Sequence, residues 1–124
     1  MASPNIVNVT SIIGLTTYAS LADTSETVIL SNSASSGVVY KVNNIIVAND
    51  DGANSADITL EYKDAAAGSG TGYKLANTVA VAADSVLVAI DRSTSFYLEE
   101  NTSITATASA GGDLDVICSY EVIS

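Results

Sequence analysis

The sharpest alternation of apolar and polar positions runs over residues 56–64. Ile58, Leu60 and Tyr62 fall on one side, and Asp57, Thr59, Glu61 and Lys63 on the other. A period of two marks a strand with one face in a core and the other in water. Residues 38–47 just upstream are more apolar, with Val38, Val39, Tyr40, Val42, Ile45, Ile46 and Val47. Between the two runs, residues 49–55 are polar and hold Asp51-Gly52, a favoured hairpin-turn step. The pattern predicts an antiparallel hairpin over residues 38–64. Its first strand changes phase at Asn43 and Asn44: Tyr40 and Val42 share one face, Ile45 and Val47 share one face, and one extra residue separates the pairs. A β-bulge there puts all four inside. A strand buried on both faces needs no bulge.

The remaining chain reads the same way. Residues 1–5 are expected as a flexible N-terminal arm and residues 6–124 as a single β-sandwich domain. Residues 6–13 read as a first strand closed by Gly14, residues 15–21 are ambiguous, and residues 26–31 form a short strand. Residues 65–72, with Gly68, Gly70 and Gly72, read as a small-sided surface loop and a candidate contact with a neighbouring subunit. Their spacing is not G-x-G-x-x-G and no Lys-Ser/Thr pair closes them, which speaks against a phosphate cradle. Residues 73–81 are extended. The continuous apolar run 85–90 is expected as a central strand. Residues 102–108 alternate with Ile104, Ala106 and Ala108 inward, and residues 114–122 with Leu114, Val116, Cys118 and Tyr120 on one face. About nine short strands, spaced by turn signals and without a sustained helical period, define an all-β, antiparallel β-sandwich.

Composition narrows the function. The chain has 124 residues and a formal charge of −10, from 14 acidic and 4 basic residues. That field repels nucleic acid and anionic lipid, so neither is an expected partner. With no His, a Ser-His-Asp triad is impossible, and with Cys118 alone and no His a zinc site is not expected. Cys118 reads as a buried small hydrophobe. Glu99 and Glu100 are adjacent and point opposite ways along a strand, unlike a converging glycosidase pair. No Trp is present to stack on sugar. The expectation is a protein without catalysis and without cofactor. Asp50, Asp51, Asn54 and Asp57 offer hard oxygens for calcium, but their spacing is not that of an EF-hand loop. The competing reading is a hairpin turn with Asn and Asp in tight dihedrals. The start of the chain lacks a basic region followed by an apolar run, so no signal peptide is expected. Six tyrosines stand almost alone among the aromatics. Tyr40, Tyr62 and Tyr120 sit on apolar strand faces, while Tyr18, Tyr73 and Tyr97 are candidates for a protein–protein contact.

Three stretches carry a resemblance to a known class. They are the run Val42-Asn43-Asn44-Ile45-Ile46-Val47-Ala48-Asn49-Asp50 with Ala56-Asp57-Ile58-Thr59-Leu60, the run from Tyr97 to Ser109, and the ending from Val116 to Ser124. The chain resembles small virion structural proteins of tailed bacteriophages, especially marine cyanophages. The resemblance implies a compact, jelly-roll-like sandwich made in the host cytoplasm and located on the virion. It implies a capsid decoration (cement) protein on the outside of the major capsid protein lattice, present as a homo-oligomer or as many neighbouring copies. A neck, tail or fibre component is the alternative it also implies. A receptor- or glycan-binding module stands as a further possibility.

Overall fold

The computed structural model describes residues 4–124, and within them nine strands form. They are β1 (Ile12–Leu21), β2 (Thr27–Asn32), β3 (Val39–Asn49), β4 (Ala56–Lys63), β5 (Gly72–Val81), β6 (Val86–Ile90), β7 (Phe96–Leu98), β8 (Thr102–Ala108) and β9 (Leu114–Ile123). The first sheet has the order β1-β9-β3-β6, with β7 also on β3; the second has the order β2-β8-β4-β5. All pairs are antiparallel. Taking β6 and β7 as one interrupted strand gives a jelly roll: first with last, second with second-last, and inward to β4 with β5.

The core lies between the sheets. Val42, Ile45, Val47, Leu114, Val116 and Cys118 come from the first sheet, and Ile58, Leu60, Ile104 and Ala106 from the second, all fully buried. The inward phases expected for β4, β8 and β9 hold. The bulge reading of β3 also holds: its register against β9 shifts between Val42 and Asn44, so Val42 and Ile45 both point inward. Tyr40 and Tyr120 meet at the rim with ring centroids 5.2 Å apart.

Three expectations are corrected. The hairpin over residues 38–64 does not form, because β3 and β4 belong to different sheets. Asn49 ends β3, and its buried amide ties the connection across the edge of the sandwich: Nδ2 donates to Asn54 O at 3.0 Å and Val81 O at 2.9 Å, and Oδ1 accepts from Asp51 N–H at 2.9 Å. The first strand is not residues 6–13. Asn5 turns the chain, accepting from Val7 N–H and Asn8 N–H, and the strand instead begins at Ile12 and continues through Gly14. The apolar run 85–90 is not central. It forms β6 at the sheet edge, with Val86 and Val88 more than half exposed. The arm expected over residues 1–5 lies mostly on residues 1–3, outside the described residues.

Candidate assembly surface

The two outward faces differ in what covers them. The outer face of the second sheet is covered over β2 and β8 by the chain itself, while Lys74, Thr78 and Ala80 on β5 stay exposed. Residues 65–72 fold back on β2 and β8, where Ala67 N–H donates to Ser31 Oγ and Gly68 N–H to Ser103 Oγ, both at 2.9 Å, and Ser103 Oγ donates to Ala65 O at 2.8 Å. Ser103 and Thr105 are buried beneath this loop. The loop is thus a fitted cover, not a free tether. Gly68 has φ +76°, and a Cβ there would stand 2.8 Å from Val28 Cγ2. A Cβ at Gly70 would collide with Asp64, and one at Gly72 with Glu61. Beside the loop, Lys63 bridges Glu26 at 3.0 Å and Glu61 at 3.3 Å, and Lys74 pairs with Glu61 at 2.5 Å. The Lys74 hydrogen bond leads in holding the Glu61 carboxyl below its ordinary range, and the Glu26 bond raises Lys63.

The outer face of the first sheet is covered at one end, where Val39 and Ile123 are buried beside Pro4 and Ile6, and is open over its middle among the described residues. Cross-strand register sets four apolar side chains in one row: Tyr18 opposite Ile117, Ile117 opposite Ile46, Ile46 opposite Val88. Tyr18 is 79% exposed and Val88 56%. Neighbouring side chains on one face of adjacent strands act as a unit, so the row is a continuous apolar stripe across β1, β9, β3 and β6. None of these residues is needed by the core, whose contacts come from the alternate positions.

Next to the stripe lies a polar depression of about 340 Å³, lined by Lys41, Asn43, Asn44, Arg92, Ser95 and Glu121. Two irregularities build it. One is the extra residue at Asn43, and the other is the excursion from Asp91 to Ser95 that separates β6 from β7 along the same edge of β3. Asp91 caps that excursion, accepting from Ser93 Oγ at 2.6 Å and from the Ser93 and Thr94 N–H groups. These bonds, Ser93 foremost, keep its carboxyl below the usual carboxylate range. Lys41 and Arg92 take part in no salt bridge among the described residues, whereas Lys63 and Lys74 are both paired. These two cations therefore lie at one spot on one face, shared with Glu121, which stands opposite Lys41 in the ladder. Farther along, Pro4, Ile6, Val39, Tyr97 and Glu99 line an apolar hollow of about 260 Å³.

Of the tyrosines singled out in the sequence, Tyr18 and Tyr97 lie on this face. Tyr73 does not: it sits on β5 in the other sheet, opposite Tyr62. Of the calcium candidates, the structure brings Asp51 and Asn54 together and sets Asp57 apart. Asp51 Oδ1 accepts from Ala53 N–H at 2.8 Å and Asn54 N–H at 3.3 Å, while Asn54 Nδ2 donates to Asp51 Oδ2. Asp57 stands on β4, its backbone tied to Ser109. No group of three Asp, Glu, His or Cys side chains converges among the described residues. Glu99 is exposed, while Glu100 is buried and accepts from Gly37 N–H at 2.9 Å. Sequence reasoning missed the stripe. Its signal was an apolar residue at the outward phase of each strand: Ile46 between Ile45 and Val47, Ile117 between Val116 and Cys118.

No protein-family model matches the chain, and no curated protein matches it in sequence. Among solved structures, the chain is similar to the disulfide-linked pili of Bacillus endospore appendages, at 16% identity and a TM-score of 0.53 over 92% of this chain and 88% of that one. This likeness shows the fold. The capsid asymmetric unit of cyanophage Pam1 is more distant, at 14% identity and a TM-score of 0.36 over 99% of this chain and 91% of that one. The CBM22-1–GH10 modules of Clostridium thermocellum xylanase 10B give 16% identity and a TM-score of 0.33 over 86% of this chain, which spans 20% of that one.

Proposed function

We propose that the chain is a non-enzymatic structural protein of a tailed-bacteriophage particle, seated as a decoration protein on the outside of the major capsid protein lattice. The observation that carries this reading is the asymmetry of the two faces. One is covered over β2 and β8 by its own loop and carries charged pairs beside it. The other presents an apolar stripe beside the free cations Lys41 and Arg92. An apolar centre flanked by charge is the anatomy of a docking patch, and many copies on a lattice make weak individual contacts sufficient. The resemblance of three stretches to phage virion proteins supplies the particle. A protein of similar fold builds the disulfide-linked pili of Bacillus endospore appendages, which fits a body suited to repeated packing.

Quantitative proteomics of gradient-purified particles tests the proposal. Abundance comparable to the major capsid protein supports a decoration role. Abundance at a small fraction of it assigns the chain to the neck, tail or fibre instead. Recovery in the soluble lysate alone overturns the virion reading altogether.

A further inference from the structure

We infer that the free edge of β1 pairs antiparallel with β1 of a second copy, with Thr16 on the two-fold axis. Among the described residues, β1 is bonded to β9 alone, without a register shift from Ile12–Ile123 to Leu21–Leu114. Just before the strand, Ser11 and Ser124 exchange both backbone bonds, at 3.1 and 2.9 Å. Antiparallel ladders alternate, so odd-numbered residues of β1 bond to β9. The backbone N–H and C=O of Ile12, Gly14, Thr16, Tyr18 and Ser20 therefore point to the open edge.

The other sheet edges are guarded. β5 carries Lys74 and two register shifts against β4. The edge formed by β6 and β7 is broken by the turn Arg92–Thr94. β2 has six residues and a shift of its own. Charges, bulges and brevity are the ordinary means of blocking edge pairing, and β1 has none of them. Residues 1–22 of the sequence contain no charged residue. In a chain of net charge −10, two copies repel wherever acidic surfaces meet, and β1 offers a neutral seam.

The register follows from the backbone. With Thr16 opposite Thr16 of the second copy, Gly14 faces Tyr18 and Ile12 faces Ser20, and all five residues enter the ladder. Any other two-fold register leaves at least one of them outside it. Side chains agree. A Cβ built on Gly14 meets nothing within 4 Å, and the Tyr18 side chain is 79% exposed. In this register the Tyr18 ring of each copy covers Gly14 of the other, the arrangement by which an aromatic residue compensates an edge glycine. Ile13 and Leu15, 54% and 46% exposed, gain cover from Ala19 and Thr17 of the second copy. The two first sheets then run on as one, and the stripe through Tyr18 meets its twin across the axis. The pairing rests on β1 alone and stands apart from the virion reading.

Light scattering on the full-length purified chain tests the inference. The expected mass is twice the 12.6 kDa of one chain. Thr16→Lys sets two cations on the axis, weakens association tenfold or more, and leaves the melting temperature of the monomer unchanged. Register is read by oxidation. Thr16→Cys places two thiols on residues whose Cα atoms lie about 5.5 Å apart, within disulfide reach, and cross-links. Tyr18→Cys places them about 13 Å apart at the rise of a strand and does not. A single-chain mass at high concentration, a dimer that survives Thr16→Lys, or equal cross-linking at both positions overturns the inference.

Discussion

Asn49 in one sheet donates through its side-chain amide to the Val81 carbonyl at the end of the other, at 2.9 Å. The same amide nitrogen also holds Asn54 O. Because Asn49 is 3% and Val81 2% exposed, loss of the Asn49 amide leaves the Val81 carbonyl without water to replace it. Such an orphan costs about 1–3 kcal/mol. Asn49→Ala is therefore expected to lower unfolding free energy by about 2–3 kcal/mol in urea titration. Asn49→Asp is expected to be worse at neutral pH, since a carboxylate would face the two carbonyls.

The fold-back of residues 65–72 gives a second expectation. Gly68→Ala must hold φ +76° and bring a methyl against Val28 and Thr105. Strain and overpacking together cost about 1–3 kcal/mol. The loss is expected as a lower melting temperature, with faster amide exchange at the Ser103 and Thr105 end of β8.

Cys118 is fully buried, and burial pushes its thiol from an ordinary 9.0 up to about 12. The native protein is expected to resist thiol reagents until unfolded. The same shift sets an alkaline limit. Because the folded form holds its proton longer, the thiol contributes no loss below pH 9, and stability falls as pH rises between 9 and 12. Near pH ~10.5 the loss is about 2 kcal/mol. Tyr120, also raised by burial, acts in the same direction. Cys118→Ala is expected to be less stable near neutrality and to lose less on going to high pH. Denaturant titrations of both proteins at two pH values give the difference.

Strand positions were largely legible in the sequence; strand partners were not. β4, β8 and β9 announce themselves by alternation, and the phase change at Asn43 marks a real bulge. The turn at residues 49–55 misled, because an Asp-Gly step favours a local hairpin while the buried Asn49 amide carries the chain to the other sheet. The run Val86–Ile90 looked central because both its faces are apolar. Its outward valines instead belong to the exposed face, and Val88 completes the stripe. Cross-strand register alone brings Tyr18, Ile46, Val88 and Ile117 together. The same holds for Lys41 and Arg92, which are distant in sequence and joined by a bulge and a broken strand. Tyr18 and Tyr97 could be singled out by residue type, since an amphipathic ring in an exposed strand is conspicuous without any register.

The stripe and the cations beside it can be removed without touching the core. Val88→Glu and Arg92→Glu alter exposed positions and are expected to change stability by no more than about 0.5 kcal/mol. Each is expected to weaken binding to particles stripped of this protein by tenfold or more, measured by co-sedimentation. Lys74→Glu, on the outer face of the second sheet, is expected to leave particle binding intact.

Electron cryomicroscopy of particles with and without this chain measures its place directly. The expected difference density is a two-layered β body on the outer capsid surface, repeated over the lattice, with the stripe of Tyr18, Ile46, Val88 and Ile117 turned toward the capsid. Density confined to the neck or tail, or a body docked through the loop-covered sheet, would contradict the account.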